Sequence, residues 1–195
     1  MLIVLHSARG ATRRFAFYQH LIRRLPSAGI AVFLYDRRGS GESTGSFETA
    51  DFSDLASDAI GALDVLTQRS DIDRRRIGVY GISQGGWIAP IVASQQQDIR
   101  CIVIVSGCAV TPAEQMGFVA RNELLQSGFS ETDTERAIAL YDHLNDYYRG
   151  RLPYDTMVRE INEARKESWI SFVISDSSEL PENPSQTKWY YEMET

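Results

Sequence analysis

Four short apolar runs, Leu2–Leu5, Ile30–Tyr35, Ile77–Tyr80 and Ile99–Val105, alternate along the first hundred residues with segments of helical spacing. A strand with one wet face alternates polar and apolar residues, whereas a strand buried on both faces reads as a continuous apolar run. Parallel neighbours need a crossover, which a helix usually provides. The pattern therefore predicts an α/β fold with a mostly parallel sheet flanked by helices. Phe17, Leu21, Ile22 and Leu25 space a helix from about Phe15 to Ala28, stopped by Gly29. Leu55, Ala59, Ala62, Leu63 and Leu66 mark a second helix over roughly 52–69, and a third follows from about Gln84 to Gln96. A composition of 43% hydrophobic and 24% charged residues supplies a core and excludes a disordered chain.

After Gly107 the pattern changes. Leu124, Ala137, Leu140, Leu144, Tyr147 and Tyr148 fall on helical faces, and Pro153, Pro181 and Pro184 punctuate them. The expected division is a partial α/β core over 1–109 and a helical cap segment over 110–195. Within the latter, Trp169–Ser175 has the composition of a strand, one that would deliver Asp176 at its end.

The charge balance excludes one class of partner. Twenty-six acids against 20 bases give a net charge of −6, and the arginines fall in scattered pairs, Arg13-Arg14, Arg23-Arg24 and Arg37-Arg38. Nucleic acid needs a concentrated positive field, so these read as solvated surface arginines. The two cysteines, Cys101 and Cys108, form no C-x-x-C pair and lack histidines at zinc-ligand spacing. They are expected to be reduced, with Cys101 a small core residue, and neither metal nor cofactor is implied. The run Met1–Leu5 is too short for a signal peptide, and no run approaches the ~18 apolar residues of a membrane span. The reading is of a soluble cytoplasmic chain whose oligomeric state is open.

Chemistry is concentrated at Gly81-Ile82-Ser83-Gln84-Gly85. A serine hydroxyl becomes a useful nucleophile only when it is exposed, faced by a base and supplied with donors for the oxyanion it generates. Here an apolar run precedes the serine and a helical segment follows it. Ser83 is thus expected on a tight turn between strand and helix, where small flanking residues permit strained backbone angles. The helix N-terminus would favour developing negative charge, and the N–H of Gln84 is the expected first oxyanion donor. A serine that merely caps a helix is the structural alternative. The loop Asp36-Arg37-Arg38-Gly39-Ser40-Gly41-Glu42-Ser43 is glycine-rich but fits neither phosphate motif. A dinucleotide fingerprint would need glycine at Thr44, and a P-loop would need a Gly-Lys pair.

These motifs in order, Leu5-His6, Asp36 to Ser43, and Gly81 to Gly86 with the apolar strand after it, resemble the α/β-hydrolase superfamily. Within it they resemble serine esterases of the dienelactone-hydrolase-like and prolyl-oligopeptidase-like branch. The resemblance covers residues 1 to about 110. It implies a serine hydrolase that acts on a small-molecule carboxylic ester or thioester through an acyl-enzyme on Ser83. It also implies that the loop after the first strand gives a second oxyanion N–H. Such loops usually begin His-Gly, whereas this one has His6-Ser7, which leaves Ala8 as the donor by position; His6 would order the loop. Asp36 and Arg37 would order the loop that follows the second strand.

The remaining triad members are not found. The family order is serine, acid, histidine, so both partners must follow Ser83. Of the three histidines, His6, His20 and His143, only His143 does, within a helical stretch of the cap. Asp176 has no histidine after it, and pairing it with His143 would reverse the order. The expectation is a chain interrupted before its acid and base. The alternative is a binding module built on a hydrolase core without activity of its own.

Overall fold

A computed structural model of the protein describes residues 1–8, 12–174 and 180–184. The chain divides into two compact units, Met1–Ala109 and Val110–Thr195.

The first unit is built on a four-stranded, wholly parallel sheet of β1 (Leu2–Leu5), β2 (Val32–Phe33), β3 (Ile77–Ile82) and β4 (Ile99–Val105), in the order β2-β1-β3-β4. β3 is central and all six of its residues are buried; Ile3, Val4 and Leu5 of β1 are likewise sealed from solvent. Helices α1 (Gln19–Arg24), α2 (Phe52–Leu66) and α3 (Gly85–Gln95) make the crossovers. Asp51 starts α2 with a capping box: its carboxylate accepts from the N–H of Asp54, whose own carboxylate accepts from the N–H of Asp51. Leu55, Ala56, Ala59 and Leu63 form its buried stripe. Phe52 stacks on Trp87 at 5.7 Å between ring centroids, which ties the start of α2 to α3.

Several expectations for this unit are corrected. The first helix is broken into a 3-10 turn, α1 and a second 3-10 turn at Pro26–Ala28, because Pro26 has no N–H to continue the ladder. Gly29 does end it, at φ 73°. Its core-facing residues are Tyr18 and Leu21, while Phe17 and Ile22 are exposed. The second run forms only the two-residue edge strand β2, half-buried. β4 lies at the other edge with Ile102, Val103 and Ile104 exposed, as is Cys101, which is therefore not a core residue. Continuous apolar sequence cannot separate a central strand from an edge strand, since the difference lies in what the neighbouring chain covers.

The second unit is helical. Thr111 opens α4 (Pro112–Gln126) with a capping box to Glu114, Ser130 caps α5 (Glu131–Tyr148), and α6 (Tyr154–Ala164) follows. Leu124, Leu140, Leu144, Tyr147, Met157 and Ile161 share one core. The run from Trp169 is not a strand: Ile170–Phe172 is a 3-10 turn, with Trp169 and Ile170 buried in that helical core. Asp176 lies outside the described residues.

Candidate functional site

The C-terminal ends of β1, β2 and β3 deliver three loops, and each is held by different chemistry. β3 leads straight into Ser83, an exposed residue at φ 51°. A non-glycine side chain in this left-handed region costs about 1–3 kcal/mol unless its surroundings enforce it. They do. The N–H of Ser83 donates to the carbonyl of Val105 at the end of β4 (2.9 Å), and its carbonyl accepts from the N–H of Gly86 (2.7 Å).

The glycines around Ser83 are required by contact rather than by flexibility. A Cβ on Gly85 would stand 2.6 Å from the carbonyl oxygen of Leu5, so the start of α3 abuts the end of β1. A Cβ on Gly86 would stand 2.9 Å from the Cα of Gly107, and one on Gly81 would strike the backbone of Gly85. Next to Gly107, Ser106 is a second non-glycine residue in the left-handed region, at φ 53°. Ser106 was invisible in the sequence, where Ser-Gly after a strand is an ordinary turn signal.

In the loop after β1, His6 is buried and its Nε2 donates to the carbonyl of Tyr35 (2.6 Å), so it braces the β1 and β2 loops together. The N–H of Ser7 donates to the hydroxyl of Tyr18 (3.1 Å). Arg37, expected to order the loop after β2, reaches across to the loop after β1. It is 7% exposed, not a solvated surface arginine, and its Nη1 donates to the carbonyls of Ser7 and Ala8. Its environment comes from residues 7, 8 and 47, which no local pattern links. Neither Ala8 nor Gln84 donates its backbone N–H to any group among the described residues.

Asp36 organises the loop after β2. Its Oδ1 accepts from the N–H of Arg13 (2.8 Å), and its Oδ2 from Arg13 Nη1 (2.6 Å) and the N–H of Glu42 (3.0 Å). A Cβ on Gly41 would strike that carboxylate. The N–H of Glu42 first, then that of Arg13 and the Arg13 charge, hold the Asp36 pKa below its ordinary value. The folded protein thus binds the proton less tightly than the unfolded chain. Stability from this group is present at neutral pH and is lost as the pH falls below about 4. Asp36→Asn should be less stable at pH 7 and show a shallower loss of stability on acidification, measured by urea unfolding at pH 7 and pH 3. An unchanged acid limb would remove Asp36 from this role.

No histidine is hydrogen-bonded to Ser83 among the described residues. The Nδ1 of His20 meets the carbonyl of Phe17 at the surface of the first unit. His143, in the helical unit, is half-exposed and its Nδ1 lies 2.6 Å from the carboxylate of Glu160. No cluster of three or more histidine, cysteine or acidic residues suited to a metal ion occurs among the described residues. No described helix is long and apolar enough to cross a membrane.

A family model described as "Serine aminopeptidase, S33" matches residues 2–145. The chain belongs to this family of α/β hydrolases. The match spans all three β-strand-borne motifs and most of α5. Among curated proteins, this S33-family chain is 32% identical over 113 residues to "Uncharacterized protein YfhR" of Escherichia coli O157:H7, covering 56% of the chain and 39% of that protein. It is 36% identical over 76 residues to an "Uncharacterized 31.7 kDa protein in traX-finO intergenic region" of Escherichia coli, covering 39% of the chain and 27% of that protein. The chain thus spans well under half the length of the curated relatives it matches. Among solved structures, "Alpha/beta hydrolase GrgF" from Penicillium sp. sh18 superposes with a TM-score of 0.51 at 19% identity, covering 65% of this chain and 43% of that one. A complex of DcsB with its substrate analogue gives a TM-score of 0.50 at 19% identity, with 65% and 44% covered. At that identity the likeness establishes the α/β-hydrolase fold.

Proposed function

We propose that this α/β hydrolase is a serine hydrolase that cleaves a carboxylic ester or thioester of a small molecule through an acyl-enzyme on Ser83. The observation that carries the reading is the left-handed, exposed Ser83 between β3 and α3, held by Val105 and hemmed by glycines. Strain of this kind persists where function requires it. Ser83 Oγ adds to the acyl carbon as its proton passes to a general base. The carbon–oxygen or carbon–sulfur bond to the leaving group then breaks, and the leaving group takes a proton. Water repeats the sequence on the acyl-enzyme and frees Ser83. The N–H groups of Gln84 and Ala8 hold the oxyanion; that neither is engaged by another described group supports the assignment. His6, committed to the Tyr35 carbonyl, orders the loop and is not the base.

A fluorophosphonate probe tests the reading directly. Covalent labelling that maps to Ser83 by peptide mass spectrometry, and disappears in Ser83→Ala, is the expected result. A protein that stays unlabelled, or is labelled elsewhere, would contradict it. In that case the family's fold serves as a binding module.

A further inference from the structure

Arg37 makes no ion pair among the described residues. Glu48 acts on it electrostatically, but its hydrogen-bond partners are the carbonyls of Ser7 (3.1 Å) and Ala8 (3.3 Å). The guanidinium carbon lies 3.4 Å from the centroid of the Phe47 ring, and Nε is buried with no hydrogen-bond partner among the described residues. Burial lowers its pKa, outweighing the electrostatic pull of Glu48, the direction expected when a cation is taken out of water. A buried cation lacking a carboxylate is destabilising beside a neutral side chain of the same shape, and a loop can be braced without charge. What the guanidinium holds is therefore informative.

The carbonyl of Ser7 and the N–H of Ala8 belong to one planar trans peptide, so they point in opposite directions. A group that fixes the carbonyl fixes the N–H. The same residue is held from its other side, where the N–H of Ser7 donates to Tyr18, and His6 before it is tied to Tyr35. Arg37 completes this set on the carbonyl side, and stacking on Phe47 keeps its fork from swinging away.

We propose that Arg37 is a positioning residue of the oxyanion hole: by holding the carbonyls of Ser7 and Ala8 it aims the Ala8 N–H at the oxyanion, and its buried charge deepens the field there. The proposal rests on the reading of Ser83 as nucleophile and Ala8 as donor. It explains how a loop with His6-Ser7 in place of His-Gly can still present a fixed donor, since a side chain from the β2 loop does the fixing. Arg37 acts through the peptide and does not touch the substrate.

Two variants separate this role from simple bracing. Arg37→Met keeps the stem and bulk but removes the donors and the charge; Arg37→Lys keeps the charge but loses the fork and the stack. Ester kcat and KM are measured together with the affinity of an alkylboronic acid, which adds to the serine as a tetrahedral anion and so reads the oxyanion hole directly. Arg37→Met is expected to lower kcat by about 10- to 100-fold and boronate affinity by a similar factor, with KM within about two-fold of wild type. Arg37→Lys should fall between the two. A bracing role alone would lower the thermal midpoint without this split. A folded Arg37→Met with wild-type kcat and boronate affinity overturns the proposal, as does a loss of kcat that leaves boronate affinity intact. If Arg37→Met does not fold, Arg37→Lys decides by the same two readouts. A wild-type protein that binds neither fluorophosphonate nor boronate removes the reading of Ser83 and this proposal with it. A wild-type protein labelled at Ser83 beside unaffected variants removes Arg37 alone.

Discussion

Ser83→Ala is expected to lower ester turnover by roughly 10⁴-fold or more, to the level that binding and oxyanion donors alone sustain. The fold should be indifferent to the change, because alanine sits at φ 51° with the same strain as serine and the hydroxyl makes no hydrogen bond among the described residues. Ser83→Gly sharpens the test. Glycine adopts the left-handed region freely, so this variant should be equally inactive yet more stable by about 1 kcal/mol. Activity and stability moving in opposite directions at one position would identify strain retained for chemistry. Turnover that survives either substitution, assayed with a chromogenic short-chain ester, would end the claim that Ser83 is the nucleophile.

Gly85→Ala carries the second large effect. Its Cβ would lie 2.6 Å from the Leu5 oxygen and 3.1 Å from both the Leu5 carbonyl carbon and the His6 oxygen. These are backbone atoms of a fully buried strand and its loop, so no side chain can rotate out of the way. Either α3 shifts outward or β1 gives, at a cost of about 2–3 kcal/mol. By calorimetry the midpoint should fall by roughly 5–10 °C. The shift would also misplace the Gln84 N–H, so turnover should drop in the surviving folded protein. Gly61→Ala is the control. It lies within α2 with nothing within 4 Å of an added Cβ, and should stabilise by about 0.5–1 kcal/mol. If the two variants have the same midpoint, the close approach of α3 to β1 is not the reason for the glycine.

The parts of this site that could be read from sequence are those whose geometry is written within a few residues. The strand, turn and helix around Ser83 span Ile77–Gln95 without interruption, and each glycine of the motif has a steric duty that local spacing encodes. The α2 stripe was legible for the same reason. Edge and centre of the sheet were not: β2 and β4 look like β3 in composition, but burial depends on what lies beside a strand. A loop-ordering place for Arg37 follows from its motif, but its burial does not, because a buried arginine and a surface arginine have the same neighbours in sequence. Its partners, the Ser7 and Ala8 carbonyls, lie 30 and 29 positions away. The 169–175 run failed differently, as a short apolar stretch that suits a strand or a buried turn equally well. Here packing against Met157, Ile161 and their neighbours in the helical core decided for the turn.

The parallel sheet also sets an order of events in folding. β1 pairs with β2 on one side and β3 on the other, and the backbone of Ser83 is not held until Val105 at the end of β4 is in place. The Ser83–Val105 bond closes over a single strand–helix–strand unit, whereas the β1–β3 pairing joins Leu2 to Gly78, a more distant closure of the kind that is slow. A chain in which β3 and β4 have not paired therefore lacks the bond that holds Ser83 at its left-handed angle.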